Sequence, residues 1–107
     1  SPTKALAQDL LRSIREFVPA KWHRLFHTFD GDVPHSVRGH LRDEAAMILT
    51  NPDIIHCTLL PQHKAWGEWL TNLQYVVIDE AHMYRGVFGA HVALVLRRLQ
   101  RLCALYK

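Results

Sequence analysis

Tyr75-Val76-Val77-Ile78-Asp79-Glu80-Ala81-His82 decides how this chain is read. Four residues of high strand preference run straight into two adjacent carboxylates. A buried strand that ends in paired acids is how a nucleotide-hydrolysing sheet offers a magnesium anchor and a water-activating base to a phosphate chain. Neighbouring residues of an extended backbone point to opposite sides, so Asp79 and Glu80 are suited to divided labour. One carboxylate holds hydrated magnesium, and the other polarises the attacking water. His82 is placed to link this edge to a neighbouring element. An isolated Asp-Glu pair is ordinarily a solvated strand exit. The apolar run ahead of this one moves the reading toward chemistry.

Working outward, the chain has 107 residues, 49% of them hydrophobic, enough for one core and too few for two. It opens on Ser1 rather than Met, as a piece of a longer protein does. Thirteen Lys and Arg against ten Asp and Glu leave +3, which permits nucleic-acid contact without arguing for it. Cys57 and Cys103 are far apart and form no Cys-x-x-Cys pair, the pattern of reduced structural thiols in an intracellular protein. No apolar stretch approaches the ~20 residues that span a membrane, and no signal-peptide pattern opens the chain. The eight His lack metal-like grouping.

The pass along the chain alternates helices with short apolar strands. Thr3 reads as the N-cap of a helix with Leu6, Leu10, Ile14, Phe17 and Val18 on its apolar face, stopped by Pro19. Leu25–Phe29 reads as a strand, and Asp30-Gly31-Asp32-Val33-Pro34 as a turn. Ser36 caps a short helix through Glu44. Residues 46–49 form a second strand, apolar enough to be buried on both faces. Asn51 followed by Pro52 is an N-cap with proline at the first helical position, and that helix ends near Pro61. Residues 63–70 are helical and hold Trp66 and Trp69, read as packing residues rather than base-stacking ones. Gln74–Ile78 is the third strand. The last helix, entered past Gly86 and Gly89, carries the stripe Phe88, Val92, Val95, Leu99, Leu102, Cys103 and Tyr106. Arg97, Arg98 and Arg101 cover its remaining surface, most simply as a solvated face. Strands alternating with helices predict an α/β fold with a parallel sheet, as one domain over residues 1–107.

Two further segments share one design. Pro2-Thr3-Lys4 and Thr50-Asn51-Pro52 each open a helix at the C-terminal end of an expected strand, the edge where open α/β sheets bind ligands. A helix start with free N–H groups is a natural phosphate site, and two of them on one edge would hold successive phosphates without reading bases. Plain helix capping explains each one alone.

In order, Ser-Pro-Thr-Lys-Ala-Leu-Ala-Gln-Asp, Asp-Gly-Asp, Leu-Thr-Asn-Pro-Asp and Val-Ile-Asp-Glu-Ala-His resemble motifs Ia, the glycine-containing turn, Ib and II of superfamily 2 DExH-box helicases. The likeness covers essentially the whole chain. His56, Leu60-Pro61, His63, Trp66 and the run from Tyr84 to Val92 with Leu96-Arg97-Arg98-Leu99 are similar to the Hrq/MrfA group of RecQ-related DNA helicases associated with DNA repair. The resemblance implies an incomplete stretch, motifs Ia to II, of a three-layer RecA-like (P-loop NTPase) domain. The parent would be an ATP-dependent helicase and ATP hydrolase using ATP and Mg2+. Asp79 would hold magnesium through water, Glu80 would activate the hydrolytic water, and His82 would couple hydrolysis to a second RecA-like domain. Pro2, Thr3, Lys4, Thr50, Asn51 and Pro52 would contact phosphates of the tracking strand, with Gly31 and Asp32 near the same path. Single-stranded or duplex DNA and that second domain are the implied partners, in the cytoplasm and nucleoid or the nucleus. The chain departs from the family pattern in lacking Gly-x-x-x-x-Gly-Lys-Ser/Thr and motif III. The alternatives are a non-catalytic nucleic-acid-binding piece and an RNA helicase of the same superfamily.

Overall fold

The computed structural model describes residues 2–78 and 86–107, apart from the side chains of residues 2–4, 35 and 86–88. The chain divides into two compact units, Ser1–Ile54 and Ile55–Lys107.

In the first unit, α1 (Pro2–Phe17) leads through a 3₁₀ turn (Ala20–Leu25) to β1 (Phe26–Thr28), then to α2 (His35–Glu44), β2 (Met47–Leu49) and the single turn α3 (Pro52–Ile54). β1 and β2 pair in parallel, Phe26 opposite Met47 and Thr28 opposite Leu49. A parallel pair needs a crossover, and α2 supplies it. The ladder extends past both strands: Ala46 N–H donates to Leu25 O at 2.8 Å, and Phe29 N–H donates to Leu49 O at 2.8 Å. Leu11, Phe29, Leu41 and Leu49 are buried around it. Before the strands, Arg24 pairs with Glu44, which His40 also meets from one turn back on α2.

Four local expectations change here. α1 begins at Pro2, so Thr3 lies within its first turn rather than at the cap. α2 likewise begins at His35 after Pro34, which places Ser36 inside the helix. The apolar residues of α1 span an arc wider than one contact: at ~100° per residue, Leu6, Leu10 and Phe17 lie on one side and Leu11, Ile14 and Val18 on the other. The unit buries Leu11 and leaves Leu6, Leu10 and Phe17 exposed, Phe17 at 88%. β2 is not buried throughout: Leu49 is buried, Met47 on the same face is exposed, and Ile48 on the other face is half-buried.

In the second unit, a π-helical turn (Ile55–Leu59) passes through turns to α4 (Gly67–Asn72), and α5 (Gly86–Tyr106) closes the chain. The helix expected from Asn51 to Pro61 is therefore α3 followed by a π turn, in which Leu60 N–H donates to Ile55 O at 2.9 Å. Leu59, Leu60, Trp66, Leu70, Val92, Val95 and Leu99 form the core, with Trp66 edge-on to Trp69. Of the stripe predicted for α5, Val92, Val95 and Leu99 are buried and Leu102, Cys103 and Tyr106 half-buried, while the Phe88 side chain lies outside those described. Its end is tied to α4 and the turns before it: the Tyr106 hydroxyl is 2.8 Å from His63 Nδ1, and Thr71 Oγ1 of α4 lies 3.2 Å from Tyr106 O. Cys57 and Cys103 are free thiols, and burial pushes the Cys103 thiol pKa up.

The third strand is a clear correction. Residues 73–78 form no strand, and Tyr75 and Val77 are 82% and 83% exposed. Strand preference and β-branching set how a segment fits a sheet, but a strand exists only where a neighbour takes its N–H and C=O groups. Among the described residues, the only sheet is the β1–β2 pair. Among those residues, no helix is long and apolar enough to cross a membrane.

Two stability measurements follow. A Cβ at Gly67 would stand 2.8 Å from Tyr106 Cε1, so Gly67→Ala displaces the ring and its bond to His63. It is expected to cost about 1–3 kcal/mol in urea unfolding, as overpacking does. Glu44 is held below its ordinary carboxylate range, first by the hydrogen bond from Arg24 and then by the charges of His40, Arg24 and His27. Its folded pKa is below its unfolded one, so its contribution is present above the ordinary value and lost as pH falls through the lowered one. Glu44→Gln should lower the urea midpoint near neutral pH, with the gap to wild type closing in acid.

Candidate functional site

Both strand exits lie at one edge of the parallel pair. β1 ends at Thr28 and runs through Phe29 into the turn Asp30–Val33, and β2 ends at Leu49 and runs through Thr50 into α3. The turn folds because Asp30 Oδ1 accepts the Asp32 N–H at 2.8 Å and Asp30 O accepts from Val33 N–H. Gly31 sits at its tip, with open space where a side chain would begin. Across the edge, the Thr50 hydroxyl donates to Phe29 O at 2.8 Å, which locks one exit to the other.

Asn51 acts as the sequence predicts. Its Oδ1 accepts the Ile54 N–H at 2.9 Å, an N-cap with Pro52 at the first helical position. The cap uses the amide oxygen and leaves the Nδ2 end as a donor on the rim.

The direction of α1 completes the edge. Gln8 Nε2 donates to Thr28 Oγ1 at 3.1 Å, at the end of β1. Arg15 donates to Phe26 O at 3.2 Å, at its beginning. α1 therefore runs antiparallel to β1, and its first turn, Pro2-Thr3-Lys4, stands at the strands' C-terminal edge. The backbone thus brings residues 2–4, 31–32 and 50–52 to one rim. The side chains of Pro2, Thr3 and Lys4 lie outside those described, as do Asp79, Glu80 and His82 altogether.

Among the described side chains, the rim is not a basic groove. Asp30, Asp32 and Asp53 flank it, and neither 26–34 nor 47–55 contains a Lys or Arg. Its described donors are neutral. Thr50 carries a role that sequence reading missed: its hydroxyl proton is committed to Phe29 O, so it braces the rim. No spacing rule reveals that bond, since its partner is 21 residues away. Among the described residues, no group of three His, Cys, Asp or Glu is arranged to hold a metal ion.

This arrangement has known relatives. The chain is 48% identical over 105 residues to the ATP-dependent helicase HRQ1 of Saccharomyces cerevisiae, across 95% of this chain and 10% of that protein. It is 45% identical over 106 residues to the uncharacterized ATP-dependent helicase YprA of Bacillus subtilis, across 98% and 14%. The crystal structure of the DUF1998 helicase MrfA matches 96% of this chain and 16% of its own with a TM-score of 0.86 and 44% identity. MrfA bound to DNA and AMPPNP matches with a TM-score of 0.85 and 43% identity, over 96% of this chain and 15% of that one. The chain thus spans between 10% and 16% of the length of these relatives. The parallel pair between helices is part of the RecA-like α/β fold read from the sequence. A model of DEAD/DEAH box helicases matches residues 1–106, and the chain belongs to that family.

Proposed function

We propose that residues 1–107 are the motif Ia to motif II stretch of a RecA-like motor domain in an ATP-dependent DNA helicase. The observation that carries this reading is the convergence of residues 2–4, 31–32 and 50–52 on the C-terminal edge of β1 and β2, where α/β sheets receive ligands. The two relatives named above are called ATP-dependent helicases, and MrfA has been crystallised with DNA and AMPPNP. These support the same reading and favour DNA over RNA, which phosphate contacts alone do not distinguish.

In this proposal the tracking strand lies along the rim. Asn51 offers Nδ2 to a phosphate oxygen, while the backbone N–H groups at the start of α1 offer the positive end of a long helix. Thr50 holds both exits in place, and Gly31 lets a sugar-phosphate chain pass close to the turn. The side chains of Pro2, Thr3 and Lys4 and the remainder of Asp32 and Pro52 complete the same path. Magnesium and ATP belong with Asp79, Glu80 and His82. Carboxylate oxygens are hard donors of the kind magnesium takes, so the donor set fits. Bound magnesium would neutralise charge on the phosphates. Asp79 would hold the ion, Glu80 would accept a proton from the attacking water, and His82 would link the site to a second RecA-like domain. The strand neighbours that 74–78 lacks would come from the rest of the motor domain.

Glu80→Gln in the full-length protein is expected to lower DNA-stimulated ATP hydrolysis by about 10²–10⁴, the usual cost of a lost base, with nucleotide binding retained. Turnover at the wild-type rate would reject the assignment. Asn51→Ala removes a neutral donor and a cap. It should weaken DNA binding without changing the slope of log affinity against log salt, and lower stability by about 0.5–2 kcal/mol.

A further inference from the structure

The second unit carries a cavity of about 290 Å³ that the proposed motor chemistry does not use. It is lined by His56 from the π-helical turn and by His91, Leu94, Val95, Arg97, Arg98 and Arg101 from α5. Among the described residues no carboxylate lines it, and the sequence of α5 contains no Asp or Glu from Gly86 to Tyr106. Arg97 and Arg101 are one turn apart, and Arg98 lies between them. On a bare helix such like-charge pairs cost a few tenths of a kcal/mol each. A merely solvated face would be expected to intersperse acids.

The cavity is also organised. Arg98 donates to His56 Nδ1 at 3.0 Å, across 42 residues. A guanidinium has only donors, so that ring nitrogen accepts and the ring's hydrogen sits on Nε2. Edge-to-face contact holds His56 against His91 at 5.1 Å between ring centroids. Two imidazole rings with half-exposed Leu94 therefore form an aromatic and apolar wall beside three guanidinium groups.

We propose that this cavity is a second nucleic-acid contact, in which Arg97, Arg98 and Arg101 hold successive phosphates of a strand and the His56–His91–Leu94 wall receives a sugar or base. Its residues belong to the second unit, none of them is a rim residue, and the inference goes beyond the reading given for the rim. Three features select a nucleic-acid strand over an acidic peptide. The volume is far more than a lone anion fills and sits near the ~300 Å³ lower bound of ligand pockets. The arginine Cα atoms rise by ~6 Å from Arg97 to Arg101, close to the ~6.8 Å that three successive phosphates ~3.4 Å apart along a strand axis would cover. The rings supply a flat surface of the kind on which unpaired bases stack.

The test is fluorescence anisotropy of labelled single-stranded DNA with the full-length protein over a salt series. Arg97→Gln/Arg101→Gln keeps the Arg98–His56 bond, so the cavity wall is preserved. Each lost phosphate contact lowers the salt slope by roughly 0.7, so the double variant should reduce it by roughly 1.4. Lys21→Gln/Lys64→Gln removes the same net charge elsewhere and should leave the slope at its wild-type value. Unchanged melting of both variants shows that folding is not the cause. Equal slopes in the two double variants would overturn the proposal, as would Arg97→Gln/Arg101→Gln weakening binding of labelled poly-glutamate and not of DNA. Asn51→Ala separates this contact from the rim, because it lowers affinity there with the slope intact.

Discussion

Everything positioned at the rim depends on the parallel pairing of two strands only three residues long. Such a ladder is weak by itself, and this one is held beyond its ends. Ala46 N–H and Phe29 N–H carry the hydrogen bonding past the strands on either side, and the Thr50 hydroxyl adds a bond to Phe29 O. Phe29 is almost wholly buried, so an unpaired carbonyl there would cost the desolvation of the group, about 1–3 kcal/mol. At the opposite end, Arg24 and Glu44 tie the segments that enter the strands. The register is thus fixed from both ends. Fixing it also fixes which residues leave the strands: Phe29 toward the Asp30 turn and Thr50 toward the Asn51 cap.

Local chemistry was legible where one residue decides one backbone bond. Asn51 before Pro52 announces a cap, and Asp30-Gly31-Asp32 announces a turn; both form as read. The stripe on α5 was legible because Val92, Val95 and Leu99 repeat with the helical period over many residues. The π turn at Ile55–Leu59 was not legible, since a shift from i−4 to i−5 bonding leaves no mark in apolar spacing. The face that α1 buries was hidden for another reason. Its apolar arc is wide enough for two neighbours, and periodicity reports the arc without saying which part meets which neighbour. The rim was half legible. Its residues were found from their positions at strand ends, but the roles of Thr50 as brace and Gln8 as tether arise from contacts 20 or more residues away in sequence. The acids at 79 and 80 lie outside the described residues, so their place on that rim stays a reading of sequence.

The charge is divided in an instructive way. The described rim has Asp30, Asp32 and Asp53 and no cation, while α5 has three arginines and no acid. Neutral donors on rigid backbone give geometry with little long-range pull. Guanidinium groups on an exposed helix face give long-range pull, with less demand on where each atom sits. The proposed motor would need both, and need them separable, because strong ionic attraction at a stepping edge would resist release. Acids beside the rim temper attraction there without removing the hydrogen bonds.

The exposed run Tyr75–Ile78 shows what sequence pattern means physically. Its composition states a demand: apolar side chains on both sides of an extended segment require cover above and below, and its backbone requires strands alongside. Leu6, Leu10 and Phe17 on α1 state a similar demand from a helix. Neither demand is met among the described residues, although the β1–β2 pair forms without them. The strand signal in 75–78 therefore carries information about surroundings, not about the segment's intrinsic shape. A segment that encodes its neighbours so strongly belongs in the middle of a larger sheet. That is the position from which two carboxylates at its end would be held rigidly enough to place a metal ion and a water molecule.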